Sequence, residues 1–200
     1  MSGAVAVNVI LPAHNEADLL PDCLAALLAS DITGCAPRVI VVANGCTDDT
    51  EAMARAAEPQ AATAGWAFDV IETPVGGKLH ALNLGDAACA TGVRVYLDAD
   101  VIVSPGLVSA LAQTLSGAAP LYASGTPRLA PAKSAMTRAY GRFWMTLPFV
   151  TEGVPGFGIF AMNEAGRRRW GDWPDIIGDD AFARLNFRPH EQVLVPETYA

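Results

Sequence analysis

No uninterrupted apolar run crosses this sequence. Hydrophobic residues make up 52% of its 200 positions and the mean hydropathy is +0.28, but alanine supplies much of that. The longest uncharged stretch, Val101 to Pro127, is broken by Ser104, Pro105, Gly106, Gln113, Ser116, Gly117 and Pro120. A membrane-spanning helix is therefore not expected. Met1 to Asn8 lack a basic start and run into a strand pattern, so no signal peptide is expected either. The four cysteines (Cys23, Cys35, Cys46, Cys89) include no Cys-x-x-Cys pair and have no histidine at zinc-like spacing. They read as free thiols in a reducing, cytoplasmic compartment. No Gly-x-Gly-x-x-Gly follows the first strand pattern, and the Walker spacing is absent, which weighs against a dinucleotide-dependent oxidoreductase and a P-loop enzyme. Positive charge is scarce: 13 Lys and Arg face 21 Asp and Glu, net −8, and a nucleic-acid-binding surface is not expected. The imbalance is uneven. Residues 1–100 carry 4 basic and 13 acidic side chains, net −9, whereas residues 101–200 carry 9 and 8, net +1. An acidic half that binds an anionic ligand needs a metal ion or backbone N–H groups to do so.

What is present is an alternation. Apolar strand patterns at Val5–Leu11, Val39–Val42, Trp66–Glu72 and Val93–Leu97 alternate with helix patterns. The helices are Asp18–Leu28, one from a capping-box-like Asp48 and Glu51 through Ala57, Leu79–Ala88, and one from Ser104-Pro105 to about Leu115. Four strand–helix repeats in order predict a parallel α/β sheet with right-handed crossovers. After residue 120 the rhythm changes. Strands are expected at Leu121–Thr126, Ile159–Met162 and Val193–Pro196, and a helix at Lys133–Met145 that mixes Arg138 and Arg142 with aromatic residues. That helix can cover the sheet edge or lie on a membrane surface. Arg167 to Trp170 reads as a solvated helix end, and Gly178-Asp179-Asp180 opens a last helix with Phe182 and Leu185 inward.

In such sheets ligands bind outside the carboxyl ends of the strands, so chemistry is sought there. The fourth strand ends in Asp98-Ala99-Asp100, two carboxylates that can share Mg²⁺ or Mn²⁺ or divide between a metal and a sugar hydroxyl. The first strand, ended by Pro12, delivers the polar loop Pro12-Ala13-His14-Asn15-Glu16. The second delivers Asn44, whose amide can hydrogen-bond a planar base, and Gly45, which permits a tight turn. Gly76-Gly77-Lys78 before a helix is an anion-site pattern, although a turn with a solvated lysine fits as well. Asp179 and Asp180 can be helix caps or supply a general base.

This set, in this order, resembles the family 2 glycosyltransferases of the GT-A fold. Pro12 to Glu16, Asn44 to Asp48, Gly77-Lys78 with Ala81-Leu82-Asn83 and Gly85, Asp98-Ala99-Asp100 and Asp179-Asp180 match the family's motifs over about residues 5–197. The resemblance implies one GT-A domain: a mostly parallel, Rossmann-like sheet flanked by helices, with an acceptor-side extension. Residues 1–100 would form its nucleotide-sugar half and 101–200 its acceptor half. It implies inverting transfer from a UDP-, GDP- or dTDP-sugar to an acceptor hydroxyl. Pro12, His14, Glu16, Asn44, Lys78 and Asp98 would surround the donor. Asp100 and Asp98 would hold Mg²⁺ or Mn²⁺, Asp180 would be the catalytic base, and Gly156, Phe157, Gly158 and Asp179 would lie on the acceptor side.

The chain departs from the family pattern at Ala43-Asn44-Gly45-Cys46, where Asp-Asp-Gly-Ser is usual, and at Asp179, where Glu is usual. It also lacks a Gln-x-x-Arg-Trp after the acidic pair, so transfer of a single sugar is expected rather than polymer extension. The location implied is cytoplasmic, or the inner face of the membrane with contact through residues 133–145. A non-catalytic nucleotide-sugar binder is the alternative. A sugar-phosphate nucleotidyltransferase is disfavoured because residues 12–16 lack the Gly-rich basic loop.

Overall fold

The structure is a computed structural model that describes residues 3–129, 135–147, 150 and 153–199. Its centre is a seven-stranded sheet in the order β3-β2-β1-β4-β6-β5-β7. The strands are β1 (Val5–Ala13), β2 (Cys35–Asn44), β3 (Ala67–Thr73), β4 (Val93–Leu97), β5 (Tyr122–Thr126), β6 (Ile159–Met162) and β7 (Gln192–Tyr199). β1 pairs in parallel with β2 and β4, and β2 with β3; β6 runs antiparallel to both β4 and β5. The described helices are α1 (Leu20–Leu28), α2 (Thr50–Ala56), α3 (Glu58–Thr63), α4 (Lys78–Ala88), α5 (Leu107–Thr114), α6 (Ala135–Trp144), α7 (Glu164–Arg167) and α8 (Asp179–Leu185). The chain steps outward from β1 to β3 and returns on the other side of β1 as β4. The topological switch point therefore lies between β1 and β4, and a crevice opens there at their carboxyl ends.

Period-two alternation assigns the strands' side chains to two cores. Val7, Val9 and Leu11 of β1, Val39 and Val41 of β2, and Val93, Val95 and Leu97 of β4 pack on one face against α1 and α5. Ile10, Ile40, Val42, Tyr96, Phe160 and Met162 face the other way, towards α4 and an aromatic group of Tyr122, Trp173 and Phe187. On that face α4 sits very close to β1: a Cβ on Gly85 would fall 2.4 Å from Ile10 Cγ2. The contact holds α4 down and fixes where its first residue, Lys78, stands. Asp86, further along α4, accepts hydrogen bonds from Tyr96 Oη (2.8 Å), Trp173 Nε1 (2.8 Å) and Arg167 Nε (2.9 Å), and so ties the later half of the chain to the helix.

Several expected boundaries shift, each for a local reason. Pro12 does not end β1. Pairing with β4 stops at Ile10, while pairing with β2 continues to Ala13, so Pro12 falls where one neighbour has already left and a missing N–H is tolerated. β2 is longer than its apolar run because Arg38 is accommodated by Asp69 at 2.6 Å and by the Ala88 carbonyl at 2.9 Å. Ser104 and Pro105 precede α5 instead of starting it; the Pro105 carbonyl accepts the Asp31 N–H at 2.7 Å. Leu185 is 80% exposed rather than inward, since α8 turns Asp179 and Ala183 inside. Only Arg168 of the arginine run is solvated, with an i,i+4 pair to Glu164; Arg167 is drawn in by Asp86 and Arg169 by Glu191. The helix expected at Lys133–Met145 is seen as α6, with Lys133 outside the described residues. All four cysteines are free thiols, and burial pushes Cys23 up to about 12 and Cys89 up to about 11.

Candidate active site

At the switch point the loop after β1, the end of β2, the start of α4 and the residues after β4 enclose an open cleft of about 390 Å³. Pro12, His14, Glu16, Asn44, Gly77, Lys78, Asp98, Ala99 and Asp100 line it. Every donor-side and metal candidate named from the sequence is thus brought together. Gly158 joins them through its backbone, its carbonyl accepting the Asp98 N–H at 2.8 Å. Gly156, Phe157 and Asp180 do not line this cleft. Asp179 is tied to it through Lys78.

Asn44 is 1% exposed, and its side chain is engaged by the protein itself. Its amide nitrogen donates to the carbonyls of Ala13 (2.9 Å) and Val42 (3.3 Å), and its oxygen accepts the Gly77 N–H at 2.9 Å. A carboxylate could not make the first two bonds, because it has no hydrogen to give. The amide at this position is therefore a clasp joining β1, β2 and the start of α4. Gly45 continues the clasp. Its φ is +56°, and a Cβ there would lie 2.8 Å from Gly76 Cα, so only glycine lets the two backbones meet. His14 Nδ1 lies 2.6 Å from the Asn44 carbonyl, an acceptor to which the ring nitrogen can only donate.

The loops after β1 and β2 are stitched by polar residues to which the sequence assigned no such contact. Asn15, in the left-handed region at φ 55°, accepts the Thr47 N–H at 2.8 Å. Thr50 Oγ1 accepts the Glu16 N–H at 2.8 Å. Asp48 accepts the N–H groups of Thr50 (3.0 Å) and Ala17 (3.2 Å), so it joins the two loops rather than closing a capping box with Glu51. An asparagine and two polar residues beside turn glycines were the only sequence signal for this.

Charge in the cleft is crowded. Lys78 Nζ lies 2.7 Å from Asp98 Oδ1 and 3.1 Å from Asp179 Oδ1. Burial alone would lower the Lys78 pKa, but Asp98 and Asp179 outweigh it and the ammonium is held above its usual range. Burial pushes Asp98 up; Lys78 opposes this, and Asp179 and Asp100 add to it. Glu16 is raised as well, by burial first and then by Asp100, Asp48 and Asp98, against the lowering effect of His14. A cleft in which Asp98 and Glu16 are both raised by burial and neighbouring carboxylates fits a cation. Among the described residues, however, no three His, Cys, Asp or Glu side chains could hold a metal ion by themselves. The donor set suits an ion that takes one or two carboxylates and fills its remaining positions from phosphate and water. Near Gly156, the buried Tyr122 hydroxyl has no hydrogen-bond partner among the described residues and lies 1.9 Å from where a Cβ on Gly156 would be.

The comparisons with known proteins bear on the family and the fold. The family model described as "Glycosyl transferase family 2" matches residues 8–185. No curated protein matches the chain. Among solved structures, the mannosyltransferase PcManGT from Pyrobaculum calidifontis, in complex with GDP-Man and Mn²⁺, is 23% identical with a TM-score of 0.67. That alignment covers 97% of this chain and 56% of that one. S. aureus TarS 1-349 in complex with UDP-GlcNAc is 14% identical with a TM-score of 0.68, covering 97% and 58%. Glucosyl-3-phosphoglycerate synthase from Mycobacterium tuberculosis, in complex with Mn²⁺, UDP and glucosyl-3-phosphoglycerate, is 22% identical with a TM-score of 0.53, covering 96% and 70%. At these identities the likeness is one of fold, and the fold is GT-A. The chain spans little more than half the length of the first two.

Proposed function

The chain belongs to glycosyl transferase family 2, and on that premise we propose that it transfers a single sugar from a UDP-, GDP- or dTDP-linked donor to an acceptor hydroxyl, with inversion at the anomeric carbon. The observation that carries this reading is the cleft itself. It gathers Asp98 and Asp100 from the end of β4 with Lys78 from α4, and Lys78 reaches Asp179, the neighbour of Asp180. Residues 1–100 form the donor half and 101–200 the acceptor half.

Pro12, His14 and Glu16 flank the nucleoside, while Asn44 holds their loop in place. Asp98 and Asp100 would hold Mg²⁺ or Mn²⁺ together with diphosphate oxygens. When bound, that ion neutralises charge on the leaving nucleoside diphosphate. Mn²⁺ in the mannosyltransferase and synthase complexes supports the assignment. Asp180, in the first turn of α8, takes the proton of the attacking hydroxyl. Gly156, Phe157 and Gly158 border the acceptor. Exposed Met136 and Phe143 on α6, beside Arg142, suit contact with a membrane surface on the acceptor side.

A thermal-shift screen of UDP-, GDP- and dTDP-sugars with and without Mn²⁺ tests the donor site, because a ligand that binds only the folded chain raises its melting temperature. A metal-dependent shift with one nucleotide is expected. Asp180→Asn should lower transfer about a hundredfold to ten-thousandfold while leaving that shift intact. Asp100→Ala should remove the metal-dependent part of the shift. Equal unfolding of both variants, or no shift with any donor, would refute the reading.

A further inference from the structure

Lys78 serves two carboxylates that belong to different parts of the site. Asp98 is part of the pair at the end of β4, and Asp179 opens the helix that carries Asp180. Among the described residues, Asp179 is only 7% exposed, its Oδ2 is buried without a hydrogen-bond partner, and Lys78 is the one cation paired with it. A carboxylate in that state depends on that counter-ion, since an uncompensated buried charge is strongly unfavourable. Lys78 is well fixed for this duty. It is the first residue of α4, which is pinned to β1 at Gly85 and to Asn44 through the Gly77 N–H. A cation that enters between Asp98 and Asp100 meets the ammonium already on Asp98 Oδ1.

We propose that Lys78 is a positioning residue, a shared counter-ion that an incoming divalent cation displaces from Asp98 and that then stays on Asp179, so that loading the donor side strengthens the hold on α8. The displacement rests on the donor-site reading above; the Lys78–Asp179 dependence does not. Two consequences follow from the charges. Lys78 opposes metal binding in the nucleotide-free protein, because like charges compete for one carboxylate. Lys78 also stabilises Asp179 in a way that neutralising Asp179 makes unnecessary.

The test needs neither donor nor acceptor. Melting temperatures are measured for the wild type, Lys78→Met, Asp179→Asn and the double variant. Mn²⁺ binding to the nucleotide-free proteins is followed by electron paramagnetic resonance. Lys78→Met should melt well below the wild type, and adding Asp179→Asn should restore most of the loss; Lys78→Arg should melt near the wild type. The double variant should bind Mn²⁺ about tenfold more tightly than Asp179→Asn alone, within the usual range for coupled sites. Additive melting losses, or equal Mn²⁺ affinity in those two proteins, would overturn the proposal. A wild type that obeys the cycle yet transfers no sugar would refute the transferase reading and leave the ion triad standing.

Discussion

Asn44 shows what a single residue can conceal in a sequence. As a departure from the usual acidic motif, it suggests an altered choice of base or a decayed site. In the folded chain its amide makes two donations and one acceptance to backbone groups of β1, β2 and the turn before α4. Asn44→Ala should therefore destabilise the fold by about 2–3 kcal/mol, since three hydrogen bonds of about 1 kcal/mol each are lost. Asn44→Asp should fall in the same direction, because it keeps the Gly77 bond but sets a carboxylate against the carbonyls of Ala13 and Val42. Urea denaturation of both variants checks this; a stable Asn44→Asp would show that the amide hydrogens are dispensable. Asp98, Asp100, Lys78 and Glu16 were legible because strand ends point into the crevice of an α/β sheet. Asn15, Thr47 and Thr50 were not, because their partners lie more than thirty positions away in an adjoining loop.

Among elements, the strands near the switch point were the most legible and the later chain the least. β4 lies where its apolar run placed it, at Val93–Leu97, because it is an inner strand: Arg94, Val95 and Tyr96 pair with β1 on one side and β6 on the other. The arginine run at the end of α7 reads as solvent-facing, which holds for Arg168 but not for Arg167 and Arg169, whose distant partners the sequence does not reveal. Arg169 donates to both carboxylate oxygens of Glu191, at 2.8 and 2.6 Å, and so joins the end of α7 to the start of β7. The same arginine, with the Arg188 N–H, draws the Glu191 pKa from 4.5 down to about 2. A depressed carboxylate stabilises the fold above its unfolded pKa and loses that contribution as pH falls towards the folded value. The stability difference between the wild type and Glu191→Gln should be constant above about pH 5 and shrink between 4.5 and about 2. Denaturant midpoints taken every half pH unit would reveal it; a difference that does not change over that window would exclude the pair as a source of stability.

At the scale of the molecule, charge is segregated in a way that bears on where the chain works. Between Asp100 and Glu152 there is no acidic residue, while Arg128, Lys133, Arg138 and Arg142 fall in the same interval of a protein whose net charge is −8. An anionic surface would repel most of this protein and accept that stretch. Within it, α6 exposes Met136 at 83% and Phe143 at 62%, two helical turns apart, next to exposed Arg142. Apolar side chains flanked by arginines match a headgroup boundary, where aliphatic and aromatic groups enter the acyl region and each basic residue near anionic lipid contributes about 1 kcal/mol. Among the described residues no helix is long and apolar enough to cross a membrane. Sedimentation with phosphatidylcholine vesicles, alone or mixed with phosphatidylglycerol, separates the possibilities. Binding should require phosphatidylglycerol and weaken with salt. Arg142→Glu should reduce it about tenfold or more, as reversing one charge near such a surface implies. Phe143→Glu should reduce it further while leaving the melting temperature near that of the wild type, because the side chain is already in water. Equal binding to neutral vesicles, or none at low salt, would remove the membrane from the account and leave α6 as a face for the acceptor or for another protein.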